Sequence, residues 1–124
     1  MGLLIDGRWH DRWYESRDGR FEREQAKRRS WVTPEGRPGD DGRGGFKAEP
    51  GRYHLYVSLA CPWAHRTLIA RELKSLQGLI DVSVVGWLML ENGWTFEPAS
   101  GSTGDRLDGL EYLYQRYLLD DPRY

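Results

Sequence analysis

The sequence holds one cysteine, Cys61, and no run of apolar residues near the length of a membrane helix. A single thiol excludes an internal disulfide and a cysteine-based zinc cage. The missing apolar run, with a mean hydropathy of -0.73, excludes a spanning helix, which takes about 20 residues. Neither sign of charge dominates: 18 Lys and Arg stand against 19 Asp and Glu, for a net charge of -1. No overall field therefore draws the chain to nucleic acid or to an anionic membrane. The opening Met1-Gly2-Leu3-Leu4-Ile5-Asp6 lacks a basic segment followed by an apolar core, so no secretory signal is read there. Asp6 stands where myristoylation at Gly2 asks for Ser or Thr. A reduced, cytoplasmic compartment is expected.

Aromatic residues are plentiful. Six Trp, seven Tyr and three Phe in 124 residues carry too much apolar surface for a wholly disordered chain, and the length suits one domain. Residues 1–33 mix Trp9, Trp13, Tyr14, Phe21 and Trp31 with Arg8, Arg12, Arg17, Arg20, Arg23, Lys27, Arg28 and Arg29. Asp6, Asp11, Glu15, Asp18, Glu22 and Glu24 interleave with them. Such a mixture can bind RNA by stacking, or it can be an extended arm whose aromatics dock on a domain while its charges stay solvated. The acids cancel most of the basic field, which favours the docked arm and no nucleic acid. Residues 34–52 are rich in Gly and Pro and read as a loop or linker; Gly42 to Gly45 lack the spacing of a phosphate-binding loop.

At residue 53 the pattern changes. Tyr53, Leu55, Val57 and Leu59 alternate with His54, Tyr56 and Ser58, which is strand period. A helix is expected from Pro62, suited to a first helical position, to about Gln77, with Gly78 as its left-handed stop. Its expected apolar face is Ile69, Leu73 and Leu76, with Ala64 and Leu68 adjacent. A second strand follows with Ile80, Val82 and Val84, so the stretch reads as a right-handed βαβ unit with parallel strands. Residues 86–104 read as a loop. Residues 107–119 read as a helix with an Asp108/Glu111 capping box and a shared face of Leu107, Leu110, Tyr114 and Tyr117. The fold class is therefore α/β. Residues 1–52 form a long irregular arm and loop, and 53–124 form the first half of an α/β domain. Two parallel strands alone leave an open edge that invites pairing with another chain.

Cys61 ends a strand and takes the N-cap of the helix that begins at Pro62. Free N–H groups and the positive end of the helix dipole favour a thiolate there, and His65 and Arg66 add positive potential. The opposing description is a buried cysteine acting as a small hydrophobe. A metal site of Cys61, His65 and His54 offers three ligands at best and no spacing motif, so no metal is expected. His65 suits helix packing or capping, and His10 and His54 carry no functional signal. In Cys61-Pro62-Trp63-Ala64 the place of a second cysteine is taken by Ala64, which rules out a dithiol cycle within one chain. A mixed disulfide at Cys61 needs an external thiol to resolve it, most naturally glutathione.

The run from Gly45 through Tyr53-His54-Leu55-Tyr56-Val57-Ser58-Leu59-Ala60-Cys61-Pro62-Trp63-Ala64-His65-Arg66-Thr67-Leu68 closely resembles the glutathionyl-hydroquinone reductases. These are the xi-class glutathione transferases, related to the omega class. Leu4-Ile5-Asp6-Gly7 with Trp9, and Glu91-Asn92-Gly93-Trp94-Thr95-Phe96, resemble the same family. The resemblance implies an incomplete thioredoxin-like domain, the glutathione transferase N-terminal domain. It implies Cys61 as catalytic nucleophile, Trp94 and Pro62 as glutathione-binding residues, and glutathione as co-substrate. The implied reaction reduces a glutathionyl-hydroquinone through a Cys61–glutathione mixed disulfide. A homodimer is expected for the complete enzyme. The family's Val–cis-Pro turn, Glu-Ser pair and C-terminal helical domain have no counterpart in these 124 residues. A truncated, inactive chain is one expectation. A non-catalytic interaction module, using the open sheet edge and aromatic arm, is the alternative.

Overall fold

The computed structural model describes residues 2–14, 16–21, 26 and 28–124. Of the residues singled out above, Met1, Glu15, Glu22, Arg23, Glu24 and Lys27 lie outside that set. Two short antiparallel hairpins come first: β1 (Leu3–Ile5) with β2 (Arg8–His10), and β3 (Ser16–Arg17) with β4 (Arg20–Phe21). Asp6-Gly7 and Asp18-Gly19 make the turns. All four residues have positive φ, which Gly and Asp tolerate and which matches the twist of a tight hairpin.

The Gly/Pro-rich stretch is not wholly a loop. β6 (Gly45–Lys47) pairs in parallel with β5 (Trp31–Thr33). A Cβ at Gly45 would fall 1.9 Å from the Arg37 carbonyl oxygen, so the pairing needs glycine there.

The expected βαβ unit is present. β7 (Tyr53–Ser58) and β8 (Ile80–Val85) run parallel, in register from Tyr53 opposite Ile80 to Ser58 opposite Val85. α1 (Pro62–Leu73) joins them. Both faces of the sheet are covered, which explains why the polar positions are as buried as the apolar ones. Ser83 is fully buried, Val85 nearly so, and Ser58 is 4% exposed. On their face Tyr56 meets the buried Phe96 ring edge-on, and the Arg106 N–H donates to Ser83 Oγ at 3.1 Å. The pleat turns Leu55, Val57, Val82 and Val84 to the opposite face, where α1 lies against β7.

The sequence pattern misplaced the end and the packed face of this helix. α1 stops at Leu73, and the left-handed residue beyond it is Ser75, not Gly78. The Arg71 guanidinium explains the early stop. Its Nε donates to the Ile80 carbonyl and its Nη2 to the Gln77 carbonyl, both at 2.8 Å, drawing the helix end onto the start of β8. The half-buried positions are Ala64, Leu68 and Arg71, spaced i, i+4, i+7, while Ile69 and Leu73 are 45% and 80% exposed. Ile69, Leu73, Leu68 and Leu59 instead line a shallow apolar groove of about 420 Å3.

The last helix, α2 (Leu113–Asp120), is shorter than expected and is not capped by Asp108. Gln115 Oε1 accepts from the N–H groups of Glu111 and Tyr112 at 3.0 and 2.8 Å. Asp108 pairs with Arg116, and the backbone from 105 to 110 winds around the Asp105 carboxylate. Leu107 and Tyr117 are exposed. Tyr114 is stacked between Trp9 and Tyr112 at centroid distances of 4.9 and 5.6 Å. The Trp9 indole N–H donates to the Glu91 carbonyl at 2.8 Å, so this part of the arm is docked. Arg28, in the same arm, is paired with Asp120 and Asp121.

Candidate functional site

Cys61 lies at the carboxyl end of β7, where ligands of open parallel sheets bind. A tight turn carries the chain from strand to helix: the Cys61 N–H donates to the Ser58 carbonyl at 3.1 Å. Cys61 itself is extended (φ -95°, ψ 113°), and Pro62 begins the helix without an N–H to leave unpaired. The first helical bond runs from the His65 N–H to the Cys61 carbonyl at 3.1 Å. The Cys61 side chain caps no N–H group of the helix; its thiol is free and half-buried. Leu59 and Trp63 beside it are 69% and 68% exposed, and the Arg66 guanidinium lies 4.7 Å over the Trp63 ring.

Trp94 reaches the same end of the sheet by a different route. Beyond β8 the chain turns at Gly86, whose N–H donates to the Thr95 carbonyl at 2.9 Å. Leu113 N–H donates to the Trp94 carbonyl, also at 2.9 Å, and Thr95 pairs with Tyr112. The Trp94 segment thus crosses the carboxyl end of β8, next to the turn that bears Cys61. No hydrogen bond or ring contact joins Trp94 to Cys61 or Pro62. Trp94 is half-buried and Pro62 exposed. A depression of about 420 Å3 lined by Asn92, Thr95, Phe96, Glu97 and Tyr112 flanks the Trp94 segment and does not include Cys61.

The histidines do not converge on the thiol. His54 is hydrogen-bonded through Nε2 to Ser83 Oγ at 2.8 Å, about 13 Å of strand from Ser58. His65 lines the apolar groove on α1, and His10 pairs with Leu3 in the first hairpin. Among the described residues no three His, Cys, Asp or Glu side chains are grouped to hold a metal.

Two features escaped the sequence pattern. Ser58, an ordinary polar residue of an alternating strand, puts its hydroxyl between the Ala60 N–H (3.3 Å) and the Gly86 carbonyl (3.5 Å). Asp105 gathers four donors. Oδ1 accepts from the Tyr56 hydroxyl (2.8 Å) and the Leu107 N–H (3.1 Å); Oδ2 accepts from the N–H groups of Asp108 (3.2 Å) and Leu110 (3.1 Å). Burial pushes the Asp105 carboxyl up, but the N–H groups of Leu110, Leu107 and Asp108 and the Tyr56 hydroxyl together hold it below its ordinary range. Burial, and then Asp105 itself, pushes the Tyr56 hydroxyl far above its usual value. The signal available in sequence was an Asp followed by a glycine-bearing turn, Asp105 to Gly109.

No protein-family model matches the chain. Over its whole length it is 60% identical to the glutathionyl-hydroquinone reductase YqjG of Escherichia coli, of which it covers 39%. It is 48% identical to the glutathionyl-hydroquinone reductase PcpF of Sphingobium chlorophenolicum, of which it covers 37%. The glutathione-bound structure of YqjG superposes with a TM-score of 0.80 over 98% of this chain and 35% of that one, at 56% identity in that alignment. A xi-class glutathione transferase from Natrialba magadii gives 0.75 over 99% of this chain and 35% of that one, at 44% identity. The chain thus spans between a third and two fifths of the length of these relatives.

Proposed function

We propose, from the premise that this chain is a homologue of the xi-class glutathionyl-hydroquinone reductases and shares part of their thioredoxin-like α/β fold, that Cys61 is the thiol of their reaction. The observation that carries this reading is a free, half-buried thiol at the start of α1, with Ala64 where a second cysteine would resolve it internally. Anions are favoured at a helix N-terminus, and the thiolate is the nucleophile.

The proposed substrate is a glutathionyl-hydroquinone. The Cys61 thiolate attacks the glutathione sulfur; the bond from that sulfur to the aromatic ring breaks, and the ring carbon takes a proton. The ring is reduced to free hydroquinone while Cys61 is oxidised to a mixed disulfide with glutathione. A second glutathione, as thiolate, attacks that disulfide, leaves as glutathione disulfide and returns Cys61. Trp94 packs against the bound glutathione and Pro62 lines its binding site beside the nucleophile. The complete protein is a cytoplasmic homodimer in this reading; among the described residues no helix is long and apolar enough to cross a membrane.

The test is mass spectrometry after exposure to glutathione disulfide. One glutathionyl group should appear on the chain and none on Cys61→Ser. Uptake by the serine variant would move the modification elsewhere and end this reading.

A further inference from the structure

We infer that Ser58 is a positioning residue for the Cys61 thiol, and that its hydroxyl, not its size, does the work. This rests on the reading of Cys61 as the glutathione-accepting thiol. Ser58 is the last residue of β7 and is 4% exposed, so its hydroxyl is cut off from water and must find partners within the protein. It finds them on both sides of the site. The Ala60 N–H lies 3.3 Å away, inside the turn that ends at Cys61. The Gly86 carbonyl lies 3.5 Å away, where the chain leaves β8. The Ser58 carbonyl meanwhile accepts the Cys61 N–H itself. One residue thus closes the nucleophile's turn through its backbone and ties that turn to the neighbouring strand through its side chain.

The tie extends further. Gly86 hands the connection on through its N–H to the Thr95 carbonyl, one residue from Trp94. Gly86 has no room for a side chain: a Cβ there would lie 1.9 Å from Ser100 Oγ. Ser58, Gly86 and Thr95 therefore form a continuous link between the two segments the proposed site needs. The Cys61 side chain makes no cap hydrogen bond of its own, so the turn holds the thiol in place. Losing the hydroxyl strands the buried Gly86 carbonyl and releases the Ala60 N–H to the solvent-facing side of the turn, and both changes displace the turn. Displacements of about 1 Å can cost roughly 100-fold in rate.

Ser58→Thr and Ser58→Val separate hydroxyl from bulk, because the two share a β-branched shape with the same number of heavy atoms and only Thr keeps the oxygen. The rate of Cys61 glutathionylation by glutathione disulfide is followed by mass spectrometry, and that of alkylation by iodoacetamide alongside it. Far-UV circular dichroism establishes that each chain is folded under the assay conditions. Ser58→Thr should react within about threefold of wild type and Ser58→Val roughly tenfold or more slowly with glutathione disulfide. The alkylation rate of Ser58→Val should shift toward that of the urea-unfolded chain. Equal rates for the two variants would overturn the inference. If Ser58→Val does not fold, Ser58→Ala against wild type carries the comparison, with the same slowing expected and equal rates overturning it. If wild type itself takes up no glutathione, the reading of Cys61 fails. The alkylation rates, which need no glutathione, then decide the role of Ser58.

Discussion

Asp105→Asn is the sharpest test of how the face of the sheet opposite α1 is held. The carboxylate accepts four hydrogen bonds, two on each oxygen. An amide of the same shape cannot accept all four. With its oxygen toward Tyr56 and Leu107, its NH2 confronts the N–H groups of Asp108 and Leu110. Turned the other way, its NH2 can still donate to the Tyr56 oxygen, but it confronts the Leu107 N–H. At least one backbone donor is orphaned in either orientation, and the remaining bonds lose their charge. A hydrogen bond to a charged group is worth about 1.5–3 kcal/mol, and the lower end suits this partly exposed turn. The expected loss is about 2–3 kcal/mol, or roughly 10 °C in Tm for a chain of this size. Urea unfolding followed by far-UV circular dichroism at pH 7 measures it. The pH dependence supplies a second check. The Asp105 carboxyl is held below its ordinary value in the folded chain, so its contribution is complete above about pH 4 and is lost as the pH falls through the folded value. Wild type and Asp105→Asn should therefore converge in strong acid. A variant within about 0.5 kcal/mol of wild type at pH 7, or a gap that persists unchanged near pH 2, would refute the reasoning.

Trp9→Ala removes the ring stacked on Tyr114 and the donor to the Glu91 carbonyl. It should cost about 2–3 kcal/mol in urea unfolding, and Trp9→Phe about 1–2 kcal/mol, since a smaller aromatic ring still stacks on Tyr114 while the N–H and part of the stacked area are lost. Gly86→Ala drives a Cβ against Ser100 Oγ and should destabilise by about 1–3 kcal/mol; Ser100→Gly in the same chain should recover most of that in a double-mutant cycle. In a glutathionyl-hydroquinone assay the 124-residue polypeptide should turn over far more slowly than its Escherichia coli relative, of which it spans 39%. Comparable turnover would mean that Cys61, Trp94 and the arm suffice to build the site.

The strand, turn and helix around Cys61 were legible in the sequence because their causes are local. Alternating β-branched and aromatic residues specify β7 and β8, and Pro62 is preset for a first helical position, so Cys61 falls at the N-cap without help from distant residues. The docking of Trp9 was legible as a tendency, since so many aromatics cannot all stay in water, but its partners Tyr114 and Glu91 were not. Where periodicity failed, a hydrogen bond between a polar side chain and the backbone of the following turn had overruled it. The packed face of α1 is Ala64, Leu68 and Arg71 because the β7–α1 turn sets the helix's rotation and Arg71 pins its end to Ile80. Residues 107–112 satisfy a helical pattern, yet the Asp105 carboxylate offers their N–H groups better partners and delays the helix to Leu113. Ser58 reads as a solvent-facing polar residue in any alternating strand. Only the covered second face of the sheet makes it a buried link between Cys61 and the Trp94 segment, because burial and partner choice belong to the assembled layers and have no signature in the order of residues along β7.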